Sequence, residues 1–399
     1  MNGNTVKALF FGLIVALSLG NVELLGIRLY DLLIISLGFG IIIETLFKNR
    51  VNINLLRYLA IVFVVLTFDL LGLLFSVNLY NIDMKFVFLQ HGRLLLGVSL
   101  MVITYRYVSK DSKFYLLLEN AFIFASSIIG LIWLMNWLDI LNTPNIYWGS
   151  RLTMGFEDPN YFGGFLLVPL SFLLGGIFSS SNLYKKLISA TVANLILLMI
   201  LATSSRGAII SAAVPCSLAL FLFLRQGLRY AIRNCFALGL VTAMVALAIS
   251  SVPQMQKAAV LIRERFGYAR IATQADQHRQ TIWNYAIPFI IEHPWGAGYG
   301  SFKQITPLGL TTHNLILESL TEFGIAGGLV FLAFVALLFA KLIKRGISTG
   351  IDVAIIGSLG SILLHSMTVS ELFNRVFWLV LGLSLGYLEI KRKEHLREW

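Results

Sequence analysis

"LLRYLAIVFVVLTFDLLGLLFS", residues 55–76, decides the class of fold. Its apolar residues run on without the three-and-four spacing of a surface helix. An apolar run of about 18 or more residues reads as a transmembrane helix. Eleven further stretches read the same way, so the expected spans are roughly 7–20, 29–46, 55–76, 86–104, 115–138, 161–180, 187–203, 207–224, 233–252, 324–343, 351–369 and 372–390. Of the 399 residues, 57% are hydrophobic and only 13% charged, against about 25% charged in a soluble domain. An outer-membrane barrel would show short alternating strands, and the sequence has none. The expectation is an all-α polytopic membrane protein of about twelve transmembrane helices. It forms a single integral membrane domain over 1–399, with one long outer loop, 253–312, inside it.

Charge sets the orientation, because cytoplasmic loops are enriched in Lys and Arg. Lys48, Arg50 and Arg57 follow the second span, and Arg106, Lys110 and Lys113 the fourth. Lys185 and Lys186 follow the sixth, Arg225, Arg229 and Arg233 the eighth, and Lys341, Lys344 and Arg345 the tenth. Lys391, Arg392, Lys393 and Arg397 form the tail. Both termini and these loops are therefore expected in the cytoplasm. The net charge of +11 is mostly this topology signal, and no nucleic-acid partner is expected, since such proteins cluster their basic residues on one folded face.

The segments left for the outer side are the polar ones: "GSRLTMGFEDPNYFGG" (149–164), "TSSRGA" (203–208), the stretch 253–323 and "SELFNR" (370–375). Within the long loop, Trp283, Ile287, Ile290 and Ile291 fall at helical spacing and make one apolar stripe suited to a membrane surface or to other helices. Pro288 should kink that helix, and Pro294 with Gly296, Gly298 and Gly300 should end it in a turn. Alternating glycines lack the strand–turn–helix setting of a nucleotide site. Cys216 and Cys235 are not placed to reach the outer loop, so no disulfide is expected, and no His/Cys/Asp group has zinc-like spacing.

"HNLILESLTEFG" (313–324) stands at the outer mouth of the tenth span. It reads as a short helix, with Glu318 and Glu322 one turn apart and "GIAGG" (324–328) bending it into the span proper. His313 would sit at its start, where the positive end of the helix dipole disfavours a protonated imidazole. A neutral imidazole can act as a general base; it can equally cap a helix and bond interfacial water. Arg206 lies at the turn between spans seven and eight, where an arginine needs an anion or a wet cavity. Its anion is either a structural partner such as Glu318 or a phosphate, whose oxygens guanidinium matches in bidentate fashion. Arg93 and Asp69, at similar depth in neighbouring spans, read as a buried structural salt bridge.

Together "TSSRGA", Arg279 ahead of Trp283, "HPWGAGYGSF" (293–302) and "HNLILESLTEFGIAGG" (313–328) resemble the O-antigen ligase and O-antigen polymerase family. "GFEDPNYFGGFL" (155–166) resembles a segment common in its polymerase-type members. The likeness covers spans six to ten, and the earlier spans only through topology. It implies an inverting, metal-independent glycosyltransferase of the bacterial inner membrane that works without a cofactor at the periplasmic face. Its donor is a glycan linked through diphosphate to a polyprenol, and its acceptor a glycan or lipid hydroxyl. The resemblance also implies a chain-length regulator as a partner. By motif position, Arg206 and Arg279 look like the diphosphate-binding arginines and His313 like the functional histidine. Arg265 is a weaker match to the first group, and Glu318 is a candidate to orient or stabilise His313. "DPNYFGG" tilts the reading to a polymerase of surface polysaccharide, with a ligase acting on lipid A core or another acceptor as the alternative. A multi-span transporter and an envelope-assembly scaffold remain as readings of another class. Against the transporter, the polar residues collect at the outer mouth and no inverted repeat is visible.

Overall fold

The computed structural model describes residues 3–20, 22–24, 27–48, 53–111, 113–144, 146–149, 151–179, 182–229, 232, 239 and 274–397. Its main helices are α1 (Gly3–Ser18), α2 (Leu29–Lys48), α3 (Ile53–Leu79), α4 (Met84–Val108), α5 (Phe114–Trp137), α6 (Pro159–Ser179), α7 (Leu183–Thr203) and α8 (Arg206–Arg225). After the undescribed stretch come α9 (Gln274–Glu292), α10 (Phe302–Ile305), α11 (Leu315–Lys344), α12 (Gly350–His365) and α13 (Arg375–Arg397). Two antiparallel pairs of two-residue strands interrupt them, Glu23–Leu24 with Ile27–Arg28 and Tyr147–Trp148 with Arg151–Leu152. Among the described residues seven helices, α3 to α8 and α11, are long and apolar enough to cross a membrane, and three shorter apolar helices lie in α1, α2 and α12. Apart from residue 239, the expected span 233–252 and the loop residues 253–273 lie outside the described residues. The rest of the long loop is largely structured, by α9, α10 and a docked turn.

Helix α6 is the hub. It packs against α12, α7, α8 and α5, and nearly every residue from Phe162 to Ile177 is buried. Its sequence explains this, because small residues let helix backbones approach within a membrane. At Gly164 a Cβ would stand 2.9 Å from the His365 ring, and at Gly175 it would collide with the Gly350 carbonyl.

The two ends of the bundle differ in chemistry. One end holds Lys7 near Asp111 (3.6 Å), Lys185 on Glu119 (2.9 Å), Arg225 on the Ile347 carbonyl (2.6 Å) and Lys393 on the Ser109 carbonyl (2.9 Å). At the other, the Arg151 Nε donates to the Thr203 carbonyl (2.9 Å), the Trp283 indole to Thr312 (2.8 Å), and the Leu315 amide to Ser366 (2.8 Å). Thus the segments that the charge pattern assigns to the outer side are in mutual contact.

The break in α11 builds much of this second end. Gly324 takes φ 71° and ψ 177° inside the helix, a conformation open to glycine and strained for other residues. The break frees backbone carbonyls of the preceding turn, and buried carbonyls need partners. The glycine-rich turn supplies them: Ala297 donates to the Thr321 carbonyl (2.8 Å), Gly298 to that of Glu322 (2.9 Å), and Ile325 donates back to Pro294 (2.8 Å). Gly296, Gly298 and Gly300 all have positive φ.

The apolar stripe of α9 is displaced by one residue from the sequence reading. Ile282, Ala286 and Phe289 are the buried positions, packed with Ala297 and Phe302. Ile287 and Ile291 point outward, 52% and 73% exposed. The docked turn fixes which face is covered, and periodicity alone could not locate it. The helix continues through Pro288 to Glu292.

Candidate functional site

A cavity of ≈ 240 Å³ opens at this end of the bundle. Its walls come from the first hairpin, the start of α4, the start of α6, the Gly300–His313 segment and the start of α13. Aromatic side chains (Tyr30, Phe86, Phe156, Tyr161 and Phe373) alternate there with polar ones.

His313 lines the cavity. It does not cap the helix, as the sequence reading allowed. Asn314 does that, with extended backbone and a side chain accepting from the amides of Ile316 and Leu317. His313 precedes the cap at φ 51°, a left-handed conformation uncommon for a residue with a Cβ. Burial holds its pKa below the ordinary histidine value, Arg279 and Lys303 push the same way, and Asp158 opposes them. The imidazole is kept neutral by burial and neighbouring charge, where the sequence reading had invoked the helix dipole.

Four residues of "GFEDPNYFGG" enter the site without having been given a role from sequence: Phe156 and Glu157 on the cavity wall, Asp158 and Tyr161. Asp158 faces His313 electrostatically, and Tyr161 lines the cavity within electrostatic range of Glu318 and Glu371. The segment is held by Arg151, whose guanidinium bridges the Thr203 carbonyl and the Asn160 side chain (3.0 Å). The resemblance of the segment was the one available signal for them.

Glu318 is fully buried, and among the described residues neither carboxylate oxygen has a hydrogen bond of good geometry. Ser370 and the Leu372 backbone face it, but the Ser370 hydroxyl donates to Thr311 (2.8 Å). Among the described residues Glu318 has no hydrogen bond to His313, so an orienting role for it is not carried by a direct contact. Glu322 holds the Gly300 amide (2.9 Å). Next to this acidic pair, His365 Nδ1 lies 2.6 Å from Glu371 Oε1, both side chains sealed from solvent.

The expected Arg93–Asp69 bridge is not formed. Asp69 binds His91 Nε2 (2.8 Å) and the Tyr299 amide (2.6 Å), anchoring the glycine-rich turn to α3 and α4. A histidine two residues before Arg93 and the incoming turn take both oxygens, which span depth alone could not show. Arg93 instead lines the cavity, and its carbonyl accepts from Arg375 (2.9 Å).

Arg206 is the first residue of α8, after the Ser205 N-cap. The neighbouring Gly207 lies against Thr368 and His365. Arg279 is on α9 within charge range of His313. Neither is among the residues lining the cavity. Arg265 lies outside the described residues.

These features define a polytopic α-helical membrane protein with its ionisable chemistry gathered around a cleft at one end. Residues 191–332 match the family model Wzy_C, described as O-Antigen ligase. That span includes Arg206, Arg265, Arg279, His313 and Glu318, and the match supports the resemblance read from the motifs. No curated protein was found to match the chain.

Proposed function

We propose that the protein transfers a glycan from a polyprenyl diphosphate to a sugar hydroxyl, at the periplasmic side of a bacterial inner membrane. The observation that carries this is His313, a half-buried imidazole held neutral, at the wall of a cleft and beside the charge of Arg279. The acceptor hydroxyl attacks the anomeric carbon of the donor with inversion as its proton passes to the imidazole. The bond from that carbon to the diphosphate oxygen breaks, and polyprenyl diphosphate leaves with the electron pair. Arg206 and Arg279 hold the diphosphate and stabilise its growing charge, an effect of the kind that dominates many transfer reactions. Asp158 steadies the imidazolium formed in the same step.

Polymerisation of lipid-linked repeats is the first reading, because Asp158 and Tyr161 bring the polymerase-like segment to His313. Ligation of a finished glycan to lipid A core or another acceptor is the second, because the matched family model bears the ligase description. Deleting the gene separates them. Loss of a polymerase leaves surface glycan as single repeats, and loss of a ligase leaves long chains unattached. Unchanged surface glycan in the deletion strain would remove both.

A further inference from the structure

The cavity carries an imbalance of charge that the transfer step does not use. Four cationic side chains line it, Arg28, Arg93, Lys303 and Arg375, against one acidic side chain, Glu157. Arg28 is paired with Glu157, and Arg375 Nε with Asp31 at 2.8 Å. Arg93 and Lys303 have no carboxylate partner among the described residues. Arg93 is only partly exposed, and a cation held out of bulk water without an anion is costly.

Two amide side chains on the same wall are also unsatisfied. Gln90 is 5% exposed, and among the described residues its Oε1 has no hydrogen-bond partner; nor does Asn374 Nδ2. Buried polar atoms in this state call for a missing partner. One is an acceptor and one a donor, which is what sugar hydroxyls can satisfy at once. The aromatic walls offer flat apolar faces, and the volume is below the roughly 300–1,000 Å³ of pockets for drug-sized ligands, which suits a single ring.

We infer that this cavity is the acceptor subsite and that it takes a sugar ring bearing an anionic group, a carboxylate or a phosphate ester, held by Arg93 and Lys303. The inference rests on the transfer reading above, because His313 on the cavity wall is what places the acceptor hydroxyl there. The donor arginines lie outside the lining, so the anion bound here is not the donor diphosphate.

The test uses the purified full-length protein in nanodiscs and saturation-transfer NMR. The probes are methyl β-D-glucuronide, glucose 6-phosphate and methyl β-D-glucoside, with farnesyl diphosphate binding measured on the same samples. At least one acidic sugar should bind about tenfold or more tighter than the neutral one, a difference of about 1.4 kcal/mol. Lys303→Gln, at an exposed side chain, should weaken that preference, and Arg93→Gln with Lys303→Gln should erase it. Farnesyl diphosphate binding should persist in both variants, which also shows that they are folded. Whichever acidic probe is preferred identifies the anion as carboxylate or phosphate. Equal binding of acidic and neutral sugars, or no binding of any, overturns the inference. So does joint loss of sugar and farnesyl diphosphate in the variants, which would make the cavity part of the donor site. Failure of the transfer reading looks different: the wild-type protein then binds no farnesyl diphosphate, whatever the sugars do.

Discussion

Gly300 donates its amide to Glu322 Oε2 at 2.9 Å, across the break that Gly324 makes in α11. The bond joins the glycine-rich turn to the segment that carries His313. Glu322 is 1% exposed, so its loss would leave a buried amide without a partner, at a cost of about 1–3 kcal/mol. Glu322→Ala should lower stability by that amount in thermal unfolding of the detergent-solubilised protein. Glu322→Gln keeps an acceptor and should recover most of it. Gly324→Ala should be worse than either, since its Cβ would run into the Trp295 backbone on top of the roughly 1–3 kcal/mol strain of that conformation.

The two ends of the bundle yield a second prediction. In a variant lacking Cys216 and Cys235, a cysteine introduced by His278→Cys should react with a membrane-impermeant reagent in intact cells. One introduced by Gln226→Cys should react only after permeabilisation. Both native side chains are exposed, so access depends on sidedness. The reverse labelling pattern would put the cleft on the cytoplasmic face and end the case for a periplasmic donor.

Arg206→Ala and Arg279→Ala should each reduce glycan transfer by about 10²–10³-fold, the loss typical of removing a preorganised charge-stabilising group. Membrane insertion should be unaffected. Lysine at either position should rescue poorly, because a point charge cannot reproduce a bidentate guanidinium contact. Product formation by the purified protein is the measurement. Full activity in an alanine variant would remove that arginine from the donor site.

Hydrophobic runs made the helices legible, and the basic segments sorted their ends, because both signals are additive along the chain. The bend after "LTEF" was legible too, since few residues but glycine fit such a break. What could not be read was which side chains meet across helices. Asp69 and Arg93 looked like partners by depth, yet the partner is His91, fixed by helix rotation. The covered face of α9 depends on a turn that docks from elsewhere, so its stripe was misplaced by one residue. Asp158, Tyr161 and Lys303 were visible as residues, but their approach to His313 depends on how the segments around the start of α6, around α10 and before α11 come together in the fold.

For His313 the lowered pKa gives a signed pH dependence. An ordinary histidine titrates near 6.5; His313 stays neutral to a lower pH. As a base it is therefore competent at neutrality, and transfer should fall only as pH drops through a value below the usual histidine range. Stability follows the same sign. The unfolded chain takes up the proton first, so the contribution of this residue is complete above the unfolded pKa and is lost as pH falls through the folded one. His313→Gln should remove this acid limb from the activity profile and lower the rate by about 10²–10⁴-fold, the usual worth of general-base help. Donor binding, held by the arginines, should survive in His313→Ala. If His313→Ala instead loses donor binding as fully as Arg206→Ala, the imidazole is a diphosphate ligand. The base must then be sought at Asp158, the acid facing it, or at Glu318, within electrostatic range of Tyr161.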